Sequence, residues 1–141
     1  MADTLKQRPV YRNLHVLQIM KYRLPPAGIV SILHRISGVL MFVLLPFIIW
    51  MFDTSLTSEI SYAQFSAVFA GGVGFVPGWF FKLVALGLIW AYLHHFIAGV
   101  RHLWMDATHA VTLEFGRQSA AFTLVTSVAL TLALGVKLFF F

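Results

Sequence analysis

The amino-acid sequence predicts an all-α membrane protein with three transmembrane helices, its N-terminus in the cytoplasm and its C-terminus outside. Three observations lead to this fold class. Of the 141 residues, 60% are hydrophobic and only 11% are charged. Three apolar stretches are each long enough to cross a hydrocarbon core of ~30 Å as a helix. The lysines and arginines are concentrated in segments that then belong to one side of the membrane.

The composition excludes several classes of protein. A soluble domain usually carries about a quarter charged residues, so this chain has too few polar groups to cover a water-facing surface. The net charge of +5 is spread through apolar sequence and forms no basic groove, so we expect no nucleic-acid partner. Cysteine is absent, which excludes a disulfide, a thiolate-ligated iron–sulfur cluster and a covalently attached haem in this chain.

We interpret residues 1–141 as a single membrane-anchor domain. A cytoplasmic segment covers about 1–26, and its cations enclose no apolar core, so we expect no cleaved signal peptide. The predicted spans cover about 27–52, 79–105 and 119–140.

Two interruptions stand out between and within the spans. Pro46 lies inside the first span, so we expect a kink near Phe42. Residues 53–78 combine polar, glycine and proline clusters and predict a loop with one surface turn of helix. The glycines lack the following lysine of a phosphate loop, which favours a simple connection.

Charge placement sets the predicted orientation. The segment before the first span carries one acid and five cations, which are Lys6, Arg8, Arg12, Lys21 and Arg23. The first loop has Asp53 and Glu59 but no lysine or arginine, whereas the second loop contains Arg117. The positive-inside rule places the N-terminus and second loop in the cytoplasm. Lys82 is an exception, near the outer end of the second span.

The first span carries ionisable side chains that a membrane helix rarely contains. One interpretation is that His34 and Arg35, which lie within two turns of Ala27, only reach the interface. The other is functional, because ionisable groups inside a span are costly and these are clustered. Ser31 and Arg35 are four residues apart and share a helix face, where both can donate hydrogen bonds to a carbonyl or carboxylate oxygen.

The second span contains a stripe of residues at helical spacing. Its members are Gly87, Ala91, His95, Gly99, His102 and Asp106. The neighbouring His94 points about 100° away. Small residues in such a stripe permit close helix packing, and they also leave space for a flat macrocycle ligated through His95, which is the interpretation we favour.

The two polar clusters are expected at similar depth. At 1.5 Å per residue, His95 lies about 15 Å and His34 about 11 Å from the cytoplasmic ends of their antiparallel helices. We therefore predict one site, with a histidine-ligated haem whose propionates face Arg35, His34 or Arg101, and a nearby pocket that uses Ser31. In the third span, polar and small residues recur every fourth position and predict helix packing only; they are Thr123, Ser127, Thr131 and Gly135.

These motifs resemble a known family. The sequence reads SILHRISG at 31–38, HFIAGVRHLWMD at 95–106 and RPV at 8–10. In this order they resemble the cytochrome b membrane-anchor subunit, or C subunit, of succinate dehydrogenase, respiratory complex II. The resemblance covers essentially the whole chain.

The resemblance implies roles for individual residues. His95 would be the axial ligand of a haem b shared with a second membrane-anchor subunit, and the adjacent His94 is the alternative ligand. Ser31 and Arg35 would border the ubiquinone site, and His34 and Arg35 would lie close to the haem propionates. Asp106 and His102 would provide proton or quinone access at the membrane surface.

The resemblance also implies partners and a location. A flavoprotein subunit with FAD would oxidise succinate, and an iron–sulfur subunit would pass electrons to ubiquinone, so this chain would not be catalytic alone. The complex would lie in the bilayer of the bacterial inner membrane. Four alternatives stay open: the anchor of a fumarate reductase, a haem-free structural anchor, a small transporter, and a self-contained cytochrome that uses His34 and His95 as both ligands.

Overall fold

The structure, a computed structural model, describes residues 15–140, and that part of the chain contains six α-helices. They are α1 (Val16–Met20), α2 (Pro26–Val43), α3 (Leu45–Leu56), α4 (Glu59–Ala70), α5 (Gly78–Thr108) and α6 (Leu113–Phe140). Three of them, α2, α5 and α6, are long and apolar enough to cross a membrane. The predicted all-α fold with three such helices is confirmed. The RPV motif at 8–10 lies outside the described residues.

The first predicted span is divided into α2 and α3. The break falls at Leu44, where φ is −89° and ψ is 8°, two residues after the predicted kink at Phe42. Pro46 occupies the first turn of α3, where its missing N–H removes no helical hydrogen bond. The backbone ladder continues on both sides, because Leu44 N–H donates to Leu40 O at 3.0 Å and Ile48 N–H donates to Leu44 O at 3.0 Å.

The prediction of a loop with a single helical turn at 53–78 is wrong, because α4 runs from Glu59 to Ala70. Ser58 caps this helix: its hydroxyl accepts a hydrogen bond from Ser61 N–H at 3.1 Å, and the Ser61 hydroxyl accepts one from Ser58 N–H at 3.0 Å. This reciprocal capping satisfies two backbone donors that otherwise lack partners. Aromatic contacts then fix α4, with the Phe65 ring centroid 6.2 Å from that of Trp50 on α3.

Helix α5 is central and packs against α2 and α6. Most of the buried residues at this junction are small, and Val30, Ala98 and Ala120 form one cluster. The third-span repeat is buried against the bundle, as predicted, at Thr123, Ser127, Thr131 and Gly135. The hydroxyl groups of the repeat donate hydrogen bonds to carbonyl oxygens of their own helix, for example Thr131 Oγ1 to Ser127 O at 2.7 Å. Close packing of this face therefore leaves few polar groups without a hydrogen-bond partner in an apolar environment.

Helix α2 leaves most of its surface uncovered. Val30 and Ser37 are its buried residues, while large apolar side chains such as Val39 and Phe42 are exposed. An apolar helix surface of this kind packs against lipid or against another subunit. The fold therefore presents the motif-bearing helix α2 at the outside of the bundle.

Candidate functional site

The two histidine motifs meet where α2 crosses α5. The rings of His34 and His95 are stacked, with centroids 4.0 Å apart and planes inclined by 19°. His102 joins them, with its ring centroid 5.4 Å from that of His34. The similar depth predicted for the two clusters agrees with this contact. We call His34, His95 and His102 the histidine cluster.

The ring of His95 is oriented by two acceptors on α2. Its Nδ1 lies 2.9 Å from the His34 carbonyl oxygen and 3.2 Å from Ser37 Oγ. The Ser37 hydroxyl donates its own hydrogen to the same carbonyl at 2.8 Å. Both groups therefore accept from His95, and Nδ1 must carry the proton. In the neutral imidazole, Nε2 then has the free lone pair that a metal ion requires.

Glycines allow the rings to approach. A Cβ added at Gly38 would lie 3.1 Å from His95 Cε1, and one added at Gly99 would lie 3.8 Å from His34 Nε2. Gly38 thus permits the close contact of His95 with α2. Sequence reasoning included Ser37 and Gly38 only as parts of a motif and missed their role. The sequence offered one signal for this role: a small residue and a hydroxyl lie on the α2 face that contacts the histidines.

His94 occupies a different environment, as its predicted direction requires. Its side chain is fully buried, Nδ1 lies 3.2 Å from Ser127 Oγ on α6, and the ring stacks on Trp90 with centroids 5.4 Å apart. Its Nε2 is buried without a hydrogen-bond partner. A ring enclosed by the bundle offers no space for a macrocycle, and this favours His95 over His94 as a ligand.

Arg101 also turns away from the histidine cluster. It is buried, and its Nε donates to Ser119 Oγ at 2.9 Å while Nη2 donates to Gly116 O at 3.4 Å. The structure therefore joins Arg101 to α6 and does not bring it together with His34 and His95. A fork of donors on a planar guanidinium is well suited to hold two helices at a fixed spacing.

The remaining predicted residues lie at the edge of the same region. Ser31 is half-buried, whereas Arg35 and Asp106 are exposed. Ser31 and Arg35 lie one turn apart on α2 and Asp106 lies in the last turn of α5. Their exposure leaves them available to a ligand or to another subunit.

The histidine cluster is not a site for a free metal ion by itself. Within residues 15–140, no group of three or more histidine, aspartate or glutamate side chains is arranged to hold one. A haem iron needs only one or two axial ligands from protein, because its macrocycle supplies the rest. The ligand chemistry of His95, with Nδ1 protonated and Nε2 free, fits that requirement.

Comparison with known proteins identifies the family. Residues 4–134 match the family described as succinate dehydrogenase/fumarate reductase transmembrane subunit. The chain belongs to this family. It is 31% identical over 142 residues to the succinate dehydrogenase cytochrome b556 subunit of Paracoccus denitrificans, covering 100% of both chains. It is 33% identical to the subunit of the same name from Coxiella burnetii, covering 83% of this chain and 90% of that one.

A third member of the family shows how far this similarity extends. The succinate dehydrogenase cytochrome b556 subunit of Rickettsia felis is 25% identical over 134 residues, with 95% of each chain covered. The family match at residues 4–134 includes α2, α5 and most of α6. The chain is therefore a multi-pass transmembrane subunit of the succinate dehydrogenase/fumarate reductase type.

Proposed function

We propose that the chain is the haem b-binding membrane anchor of a succinate:ubiquinone oxidoreductase and that it contributes to the quinone site. Family membership supports assembly into such a complex, and the relatives' name, cytochrome b556 subunit, supports a haem b. The observation that carries the proposal is the hydrogen bond of 2.9 Å from His95 Nδ1 to the His34 carbonyl oxygen.

His95 is the proposed axial ligand, through Nε2. The acceptors on α2 fix its tautomer and ring direction, and they increase its basicity as a ligand. When bound, the haem supplies one-electron chemistry at its iron. We propose that the second axial ligand comes from a second membrane-anchor subunit that packs on the uncovered side of α2 and α5.

His34 and Arg35 are the proposed contacts of the haem propionates. An imidazole N–H donates a hydrogen bond to a carboxylate, and a guanidinium forms charge-assisted hydrogen bonds with one. Arg35 is exposed and adjacent to the histidine cluster in sequence, so it can turn toward such an anion. A propionate contact of Arg101 would require its two hydrogen bonds to α6 to break, so for Arg101 we propose mainly the joining of α5 to α6.

Ser31 and Arg35 are the proposed quinone-binding pair. Both donate hydrogen bonds, and a quinone presents only carbonyl acceptors before it is reduced. Reduction of ubiquinone consumes two electrons and two protons, so the site must be reached by water. His102 in the histidine cluster and the exposed Asp106 near the end of α5 are the groups we propose for proton or quinone access.

The remaining cofactors belong to partner subunits in this proposal. A flavoprotein subunit with FAD oxidises succinate to fumarate, and an iron–sulfur subunit carries the electrons to the membrane. The absence of cysteine from this chain agrees with clusters held elsewhere. The anchor is not catalytic by itself: it fixes the complex in the bilayer and helps to hold haem and quinone.

We further propose a bacterial inner-membrane location with the N-terminus in the cytoplasm. The relatives are bacterial proteins, and the cation-rich segment before α2 supports this orientation through the positive-inside rule. The loop that contains α4 and the C-terminal end of α6 then lie outside.

A reduced-minus-oxidised spectrum of the intact complex tests the haem assignment. His95→Ala is expected to abolish the b-type band, because it removes the Nε2 lone pair. His102→Ala is the matched control: it removes another member of the histidine cluster on the same helix and is expected to keep the band. An unchanged band in His95→Ala would refute His95 as the ligand, and loss of the band in His94→Ala alone would transfer the ligand role to His94. Absence of the band from the wild-type complex would indicate a haem-free anchor.

A fumarate reductase anchor is the second candidate, because the matching family includes both enzymes. The two functions use the same kind of anchor and differ in direction and quinone. The measured quinone preference of the purified complex, ubiquinone or a lower-potential quinone, distinguishes them.

A further inference from the structure

Two lysines lie at the end of the bundle that is predicted to be outside. Lys82 is in the first turns of α5, and Lys137 is in the last turns of α6. Both depart from the general rule that cations of a membrane protein gather on the cytoplasmic side. The fold brings them together, because both line one cavity of about 490 Å³ between α4, α5 and α6. We call this space the lysine cavity.

The lysine cavity is suited to an anion. Its other lining residues are apolar or hydroxyl-bearing, and include Tyr62 and Ser66 from α4, with no carboxylate among them. Lys82 Nζ lies 5.6 Å from the centroid of the Phe139 ring, an interaction that steadies the ammonium group but does not neutralise it. Two like charges that line the same cavity repel each other, so an anion that binds between them is stabilised by both.

A second cavity adjoins the first. It also measures about 490 Å³ and shares Ile89 and Leu134 with the lysine cavity. Its lining is otherwise apolar apart from the Tyr92 side chain, and is formed by residues such as Met41, Ile48 and Leu88. We call it the apolar cavity. A cavity lined by two cations beside an apolar cavity matches the polarity of an amphiphile with an anionic headgroup.

We propose that the lysine cavity and the apolar cavity together bind an anionic phospholipid from the leaflet at that end of the bundle. Its phosphate lies between Lys82 and Lys137, and an acyl chain follows the apolar cavity past Ile89 and Leu134. This site is separate from the histidine cluster and does not depend on the haem or quinone assignment. A neutral isoprenoid would fit the apolar channel but would make no use of the two charges.

Native mass spectrometry of the purified complex in detergent tests the site. The probe is phosphatidylglycerol, and zwitterionic phosphatidylcholine of the same acyl composition is the comparison. The variant is Lys82→Gln with Lys137→Gln. Each lysine is expected to contribute about fivefold to affinity for an anionic lipid, so the double variant should bind phosphatidylglycerol ~25-fold more weakly. Binding of phosphatidylcholine should not change.

Matched variants separate charge, position and shape. Lys21→Gln with Arg23→Gln removes two exposed cations from the opposite end of the bundle and should leave binding within about twofold of wild type. Lys82→Arg with Lys137→Arg keeps both charges and should retain binding. Leu134→Trp fills the channel while both lysines remain, and should weaken binding of the lipid.

Three results would overturn the proposal. The first is equal affinity for phosphatidylglycerol in the wild type and the Lys82→Gln, Lys137→Gln variant. The second is displacement of phosphatidylglycerol by neutral ubiquinone with no dependence on the lysines. The third is lysine-dependent binding of inorganic phosphate together with an inert Leu134→Trp variant, which would identify a site for a free anion.

Discussion

Gly38→Ala tests the geometry that orients His95. A Cβ at this position would lie 3.1 Å from His95 Cε1 and 3.5 Å from its Nδ1. Carbon atoms in contact usually lie ~3.5–4.0 Å apart, so the imidazole must withdraw by roughly 0.4–0.9 Å. The substitution adds a single methyl group and improves the helix propensity of α2 by up to ~1 kcal/mol, so it perturbs the ring without weakening the helix.

The size of the effect follows from the displaced hydrogen bond. The Nδ1-to-oxygen distance of 2.9 Å would exceed about 3.2 Å, the upper end of the usual range. A hydrogen bond of this kind contributes ~1 kcal/mol, which corresponds to about 40 mV for a one-electron couple. Its loss makes the imidazole a weaker donor and destabilises ferric iron. We therefore expect the haem midpoint potential to rise by up to ~40 mV, with a lower haem content.

The assay is a potentiometric titration of the haem in the purified complex, with haem quantified per complex. Gly116→Ala is the control, because it makes the same change in α6 and its added Cβ has no neighbour within 4 Å. The control is expected to keep the potential and haem content of the wild type. A Gly38→Ala complex with unchanged potential and full haem content would show that His95 does not lie against Gly38.

Three further predictions concern the quinone site, the junction of α5 with α6, and α4. Ser31→Ala and Arg35→Ala should each lower the rate of quinone reduction at least tenfold, which corresponds to a loss of ~1.4 kcal/mol of binding free energy. Succinate oxidation with a soluble artificial acceptor should be unchanged. Equal loss of both activities would refute the assignment. Arg101→Lys cannot reproduce the hydrogen bonds to Ser119 and Gly116 and should lower the free energy of unfolding by ~1–3 kcal/mol. The measurement is the thermal midpoint of the complex, which should fall while the haem band stays unshifted. A shifted band would instead indicate a propionate contact. Ser58→Ala removes the cap of α4 and should cost about 1 kcal/mol, so that a protease added outside cleaves residues 59–70 faster than in the control Ser66→Ala. Cleavage of this segment only from the cytoplasmic side would contradict the orientation.

Periodicity and hydropathy were sufficient to predict the three long apolar helices and the similar depth of His34 and His95. Both follow from constant helical rise and from antiparallel direction, which do not depend on side-chain detail. The packing face of α6 could also be predicted, because Ser127 and the other residues of its four-residue repeat lie on one face of the helix. These features are local or nearly local, and the sequence specifies them directly.

The parts that were missed depend on tertiary contacts. Helix α4 has little apolar periodicity. Its Ser58 cap is local and could have been read from the sequence as a helix start, whereas the contact of Phe65 with Trp50 is tertiary and no local pattern displays it. Arg101 was named with His34 and Arg35 as a possible propionate contact, and the sequence did not indicate that its Nε donates to Ser119 Oγ on α6. The acceptor for His95 Nδ1 is the main-chain carbonyl of His34. Because every residue has such a carbonyl, the residue types in the sequence do not reveal this hydrogen bond.

The main-chain acceptor has a consequence for how the site tolerates mutation. No substitution of the His34 side chain removes the carbonyl to which His95 Nδ1 donates, so the tautomer of the proposed ligand does not depend on the residue type at position 34. The imidazole of His34 can therefore be exchanged to alter the charge beside the proposed haem site while this hydrogen bond remains. Holding the proposed ligand and setting the charge around it are two properties of one residue that can be varied separately.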